Sequence, residues 1–271
     1  MTKVWMITGA GAGLGRAIAE HARGQGHTVV ATARDVKAVE DFDDALVLDV
    51  HDPSSVEAAV AEAVRRHGRI DVLVNNAGHG LVGAVEELAD ADLRAVLETN
   101  VFGVLRATRA VLPHMREQRS GHIVQMSSVG GQVANPGHAA YATAKFALEG
   151  LSESLSAEVA PWGIRVTLVE PGPFRTDFAG RSMRYAEPIP AYHDSPAGQL
   201  RGRFASQDGN QPNDPVRAAE EIFLAVEDPA SPLRLPLGPE AIDKIRTKLT
   251  KQLADLESLP AHVRETGYSA S

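Results

Sequence analysis

Tyr141 and Lys145 stand four residues apart in the stretch YATAK, with only Ala142, Thr143 and Ala144 between them. On a helix, residues i and i+4 share a face, so a phenol and an ammonium would lie side by side. That pair could do proton chemistry. A free phenol has a pKa of about 10, whereas an acid–base catalyst near neutrality needs one nearer 7. The difference of about 3 units is about 4 kcal/mol of preference for the phenolate. A fixed ammonium close by is one source of it. The small residues in between leave room for a ligand along the helix. Taken alone, the pair reads more readily as an exposed i,i+4 pair, common in any helix, so the elements around it decide.

A second candidate lies near the start. TGAGAGLG (8–15) follows the apolar run KVWMIT (3–8) and opens the helix-like GRAIAEHARGQG (15–26). Backbone N–H groups at a helix start, with the dipole behind them, suit a pyrophosphate. Side chains would block that approach, which calls for glycine. The glycines sit at 9, 11, 13 and 15. This is T-G-x-x-x-G-x-G rather than G-x-G-x-x-G, whose third glycine would fall on Leu14.

The rest of the chain alternates in the same way. Strands are predicted at 28–33, 45–50, 70–78, 121–128 and 164–172, and a short one at 233–238. Helices are predicted at 53–68, 91–115, 139–161, 215–229 and 239–259. Near-continuous apolar strands alternating with helices predict an α/β protein, a three-layer Rossmann fold. Its doubly wound, mostly parallel sheet would carry helices on both faces. Residues 177–214 break the pattern, being rich in Gly, Pro, Arg, Ser, Asp and Asn. A long irregular stretch inside a compact domain is expected to be functional, here a substrate lid. No linker divides the chain, so residues 1–271 are expected to form one domain, with a C-terminal helix and tail over 239–271.

Composition narrows the function classes. There is no cysteine, hence no disulfide framework or thiolate metal site. The ten histidines are scattered, without H-E-x-x-H, so no metal is expected. There is no G-x-S-x-G hydrolase elbow. A net charge of −8 and no dense Lys/Arg run argue against nucleic acid. No apolar stretch approaches the ~20 residues of a membrane span, and the N-terminus does not read as a signal peptide. These features predict a cytoplasmic protein.

In order along the chain stand TGAGAGLG (8–15), DV (49–50), NNAG (75–78), Asn100, SS (127–128), YATAK (141–145) and PGPFRT (171–176). Together they resemble the short-chain dehydrogenase/reductase family, in its compact single-domain branch, over about residues 3–176 and more loosely to 238. The resemblance implies that Tyr141 is the general acid/base. Lys145 would lower its pKa and hold the nicotinamide ribose. Ser128, thirteen residues before Tyr141, would hydrogen-bond the substrate oxygen, with Ser127 structural. Asn100 would hold a water linking the lysine to solvent. Thr8, Gly9, Gly11, Ala12, Gly13, Leu14 and Gly15 would form the phosphate loop. Asp49 and Val50 would contact the adenine, by hydrogen bond and by packing. Asn75 would hold the adenosine end and the neighbouring strands, while Asn76, Ala77 and Gly78 line the same edge. Asn76 is equally a purely structural residue. Pro171 and Gly172 would turn the backbone under the nicotinamide, and Thr176 would bond its carboxamide or cap a following helix.

In the stretch ATARDV (31–36), the family's NAD-selecting acid would fall on Ala33, and Arg34 comes next. A guanidinium there suits the 2′-phosphate of NADP. Asp35, twenty residues past Gly15, is the competing ribose ligand of an NAD enzyme. The expectation is an oxidoreductase that moves a hydride between NADP(H) and a ketone, aldehyde or secondary alcohol. Its runners-up are an NAD-dependent alcohol dehydrogenase and a non-catalytic NADP-sensing regulator. The complete Asn–Ser–Tyr–Lys set argues against the regulator. The substrate is expected between the sheet edge and the lid, with residues 79–88 and 129–138 contributing. Arg181, Arg184, Arg201 and Arg203 either grip an anionic substrate or form a solvated face. The family's habit predicts a homodimer or homotetramer.

Overall fold

A computed structural model describes residues 2–207, 209–264, 266 and 267. The end of the expected tail, residues 268–271, lies outside them. Seven parallel strands form the central sheet: β1 (Val4–Thr8), β2 (Thr28–Ala33), β3 (Asp44–Val47), β4 (Val72–Asn75), β6 (Gly121–Met126), β7 (Ile164–Pro171) and β9 (Arg234–Leu237). Their order is β3-β2-β1-β4-β6-β7-β9. It reverses between β1 and β4, the switch point at whose carboxyl edge such sheets bind ligands. Two further strands, β5 (Gly80–Val82) and β8 (Met183–Tyr185), pair in a separate parallel ribbon.

Alternate residues of each strand feed opposite cores. Trp5 and Ile7 of β1, with Val72 and Val74 of β4, join a cluster with Ile18, Ala19 and Ile222. Val4, Met6 and Leu73 face the other way, against Val56, Val60, Val111 and Leu155. Helices α1 (Gly13–Gly24) and α7 (Pro215–Glu227) therefore cover one face. Helices α2 (Pro53–His67), α4 (Val104–Gln118) and α5 (Ala139–Val159) cover the other.

Local chemistry sets the helix ends. Asp52 caps α2 by accepting from Ser54 N at 2.9 Å, Pro53 sits in its first turn, and Gly68 closes it at φ +74°. Asp214 caps α7 in the same way. Helix α1 differs: it has no side-chain cap and no acidic residue in its first turn. Its first amide groups are left for another acceptor.

Three expectations change. The predicted helix over 91–115 is α3 (Asp90–Leu97), a π-helical turn (Glu98–Gly103) and then α4. The strand expected over 45–50 stops at Val47; Leu48 N still bonds Ala33 O, and the chain then turns, with Asp52 N bonding Asp49 O at 3.1 Å. The lid is not structureless. It holds β8 and α6 (Pro196–Gln207), and β8 is stitched to β5 just beyond the NNAG stretch. The last helix, α8 (Pro239–Glu257), follows β9. Among the described residues no helix is long and apolar enough to cross a membrane.

Candidate active site

The glycine loop runs from the end of β1 into α1. Gly9 and Gly13 adopt left-handed φ values of +67° and +56°, which favour glycine. Gly15 is required for space: a Cβ there would stand 2.2 Å from Asn76 Nδ2 and 2.6 Å from Gly9 O. Asn76 holds the loop, donating to Thr8 O and Gly9 O at 3.0 Å each. Thr8 Oγ1 in turn accepts from the amides of Asn76 and Ala77. Thus Asn76 positions the cradle. Asn75 belongs to the sheet: it is buried, with its amide donating to Thr108 Oγ1 and Gln125 Oε1 at 3.0 Å each. Its Oδ1 is buried without a partner among the described residues.

The other predicted loops reach the same edge. Thr176 Cβ would lie 3.5 Å from a Cβ at Gly13, so PGPFRT meets the glycine loop. Thr176 Oγ1 accepts from Phe178 N at 3.4 Å, and Gly172 N bonds Leu237 O at 2.9 Å. Asp49 Oδ1 accepts from His51 N, and Val50 packs against Gly103. Arg34 is exposed just beyond β2, with no partner among the described residues. Asp35 is engaged: its Oδ1 accepts from Lys37 N at 3.1 Å and caps a short 3-10 helix.

Tyr141 and Lys145 lie on α5 and are both buried. The Lys145 Nζ donates to Met126 O at 2.6 Å and sits 5.6 Å from the centre of the Tyr141 ring. Ser128 stands beyond the end of β6, which stops at Met126, and its Oγ accepts from Gly130 N at 3.0 Å. That bond leaves the hydroxyl proton free to be donated. Gly130 fits under the phenol, where a Cβ would come within 3.2 Å of the ring.

The electrostatics correct one expectation. Burial pushes the Tyr141 phenol up to about 12, and the Ser128 hydroxyl pulls it the other way. Burial also pushes Lys145 down to about 8, with Glu149 opposing. Desolvation of the phenol therefore outweighs any pull from the lysine, and Tyr141 is held protonated at neutral pH.

Asn100 occupies the π turn, a feature often found at functional sites. Its Nδ2 donates to His79 O and Val96 O at 2.9 Å each. Its Oδ1 is buried, without a partner among the described residues, 2.7 Å from where a Cβ of Gly78 would be. That oxygen is the one acceptor of the Asn–Ser–Tyr–Lys set left unsatisfied, and a buried acceptor calls for a donor.

Behind these residues is a network that sequence reasoning missed. Ser127 Oγ donates to Glu149 Oε1. Gln132 Nε2 donates to Glu149 Oε2 at 3.1 Å and to Glu170 Oε1 at 3.0 Å. Arg234 Nε reaches Glu149 at 3.1 Å and Glu170 at 3.5 Å. Burial, reinforced by Glu149, pushes Glu170 up to about 7. One signal was available: Glu149 follows Lys145 by four residues, and so continues the face begun by Tyr141.

Over Tyr141 lies an apolar wall, also unforeseen. Phe178 is 5.8 Å from its ring and His138 6.1 Å; Phe204 of α6 packs edge-on to His138 at 5.0 Å. Val82, Met183 and Leu200 complete the cluster with Phe178 and Phe204. Burial pushes His138 down to about 4, so it is neutral. Of the lid arginines, Arg181, Arg184 and Arg203 are exposed. Arg201 is bound to Ala186 O at 2.9 Å and Glu87 at 3.2 Å.

A glycine cradle at the switch point of a parallel sheet, with buried Tyr141, Lys145 and Asn100 and half-buried Ser128 at the same edge, defines a nucleotide-binding α/β protein. The family model for short chain dehydrogenase matches residues 3–185. The chain belongs to the short-chain dehydrogenase/reductase family. It is 41% identical to "Oxidoreductase BOA17" of Botryotinia fuckeliana (strain B05.10), over 90% of this chain and 91% of that protein. Among solved structures it resembles a short-chain dehydrogenase from Streptomyces avermitilis, with a TM-score of 0.92 and 44% identity over 99% of this chain and 100% of that one. It also resembles the 3-ketoacyl-(acyl-carrier-protein) reductase from Brucella melitensis complexed with NADH. There the TM-score is 0.71 and the identity 27%, over 87% of this chain and 96% of that one.

Proposed function

We propose that this protein is an NADP-dependent oxidoreductase that reduces ketones or aldehydes with apolar substituents. The observation that carries the reading is the burial of Tyr141 and Lys145, with half-buried Ser128 at the same edge, beside a cradle in which glycine is sterically required. The residues present fit a nicotinamide dinucleotide: the uncapped start of α1 suits its phosphates. When bound, that cofactor supplies the hydride.

Tyr141 donates its proton to the oxygen on which charge develops. A phenol held protonated suits reduction, where an acid is needed first. Ser128 donates to the same oxygen, with its own lone pair already committed to Gly130 N. Lys145, anchored on Met126 O, has two protons left for ribose hydroxyls. Asn100 Oδ1 takes the water through which the spent phenol is reprotonated.

Support for NADP comes from the exposed, unpartnered Arg34 and from the Asp35 carboxylate being engaged in a cap. The NADH complex of the Brucella melitensis relative favours the alternative, the same chemistry with NAD. The substrate class follows from the wall of Phe178, Met183, Leu200 and Phe204, and from lid arginines that are solvated or already paired.

The test is oxidation of NADPH and NADH against a panel of aryl and alkyl ketones, 2-keto acids and sugars, with Tyr141→Phe as control. Turnover of the apolar ketones, lost in the variant, is expected. Binding of NADPH without turnover of any carbonyl would make the protein a sensor. Turnover untouched by Tyr141→Phe would overturn the mechanism.

A further inference from the structure

Helix α8 leaves the body of the protein halfway along its length. Ala241 and Ile245 are buried, and Lys248 Nζ donates to Gln132 O and lies 4.6 Å from the Phe146 ring. From Leu249 to Arg264 every residue is exposed.

This projecting stretch is not polar throughout. Ile242, Leu249, Leu253 and Leu256 are 39%, 53%, 56% and 61% exposed, and Leu259 continues the series just past the helix. With 3.6 residues per turn, positions 242, 249, 253 and 256 fall within a sector of about 60°. A row of large apolar side chains on one exposed face is an interaction surface.

The charges around the row select what covers it. Helix α8 carries four basic residues (Lys244, Arg246, Lys248 and Lys251) and four acidic ones (Glu240, Asp243, Asp255 and Glu257). The helix has no net charge, and the whole chain has −8. Neither draws it to an anionic lipid surface, where a basic polar face is expected. The charges are instead ordered, with the basic residues in the middle and an acidic pair at the C-terminal end. A parallel pair in register would set lysine against lysine. An antiparallel pair with Leu249 over Leu253 of a second copy brings Arg246 level with Leu256 and beside Glu257 of that copy, and Ile242 beside its Leu259 just past the helix. The existing Asp243–Arg246 pair, at 3.3 Å, is exposed and weak enough to be exchanged. One twofold axis makes all these contacts twice, as a closed isologous interface requires.

We propose that α8 is an association element, which pairs antiparallel through Ile242, Leu249, Leu253 and Leu256 with the same helix of a second copy of this chain.

Light scattering and sedimentation of the full-length chain test this. The wild type is expected to be a multimer with an even number of copies. Leu249→Glu/Leu253→Glu is expected to halve its mass while leaving the melting temperature of the exposed-site variant within a few degrees. Arg246→Glu is expected to weaken association about tenfold, and Arg246→Glu/Glu257→Arg to restore it. A monomeric wild type, or a mass unmoved by the leucine variant, would overturn the proposal. A charge reversal that the second reversal does not rescue would overturn the antiparallel register. Flotation of the wild type but not the leucine variant with phosphatidylserine vesicles would assign the row to a membrane instead.

Discussion

The ammonium of Lys145 is held by the main-chain carbonyl of Met126, 2.6 Å away at the end of β6. The lysine is thus placed by the central sheet and not by the tyrosine it accompanies. Removing the phenol should leave the lysine where it is. Tyr141→Phe is expected to lower kcat by about 10²-fold or more, the usual scale of acid–base catalysis, with the Kd for NADPH unchanged. Transient kinetics and fluorescence titration give the two numbers.

Arg34→Ala separates the two cofactors. Loss of a charge-assisted contact to a 2′-phosphate should raise the Kd for NADPH about tenfold, or about 1.4 kcal/mol, and leave NADH unchanged. An equal effect on both cofactors would return the ribose to Asp35.

Gly15→Ala sets a methyl group within 2.2 Å of Asn76 Nδ2. Asn76 must then release the loop or the loop must shift. Overpacking of this kind costs about 1–3 kcal/mol. A fall in melting temperature together with weaker nucleotide binding is expected, whereas Gly24→Ala, with nothing near it, should do neither.

Glu170 makes stability depend on pH. Its folded pKa of about 7 lies above the ordinary 4.5. A raised carboxyl pKa gives stability that is complete below the unfolded value and is lost as pH rises through the folded one. The loss across pH 4.5 to 7 is of order 3 kcal/mol at most. His138 and His122, both pushed down by burial, act with the opposite sign as pH falls below 6.5. The difference between wild type and Glu170→Gln isolates the carboxyl. The variant should gain relative stability from pH 5 to pH 8, as urea unfolding at each pH will measure.

The wall over the phenol carries the substrate prediction. Phe178→Ala should raise KM for an aryl ketone several-fold with less effect on kcat, because it removes binding area rather than a reacting group. A drop confined to kcat would place Phe178 elsewhere in the reaction.

The strands and the glycine loop were legible because their residues carry local signals. Trp5 and Ile7 alternate with Val4 and Met6, and the glycine spacing at 9, 11, 13 and 15 stands in one stretch directly after its strand. The Tyr141–Lys145 pair and the separation of Ser128 were legible for the same reason. What was not legible depends on distance in sequence. Leu81 of β5 finds Arg184 of β8, and Glu149 finds Glu170 and Arg234, across gaps that no periodicity spans. The π turn at Asn100 hid within an unbroken helical pattern. Sequence displays the ammonium four residues from Tyr141 and not the burial that pushes the phenol up.

Asn76 ties Thr8 and Gly9 with a single amide. The phosphate cradle therefore has its shape before any ligand arrives, and the loss of loop entropy falls on folding and not on binding. Association should then proceed without a slow ordering phase, and the backbone NMR order parameters of residues 9–15 should be as high in the ligand-free protein as with nucleotide bound.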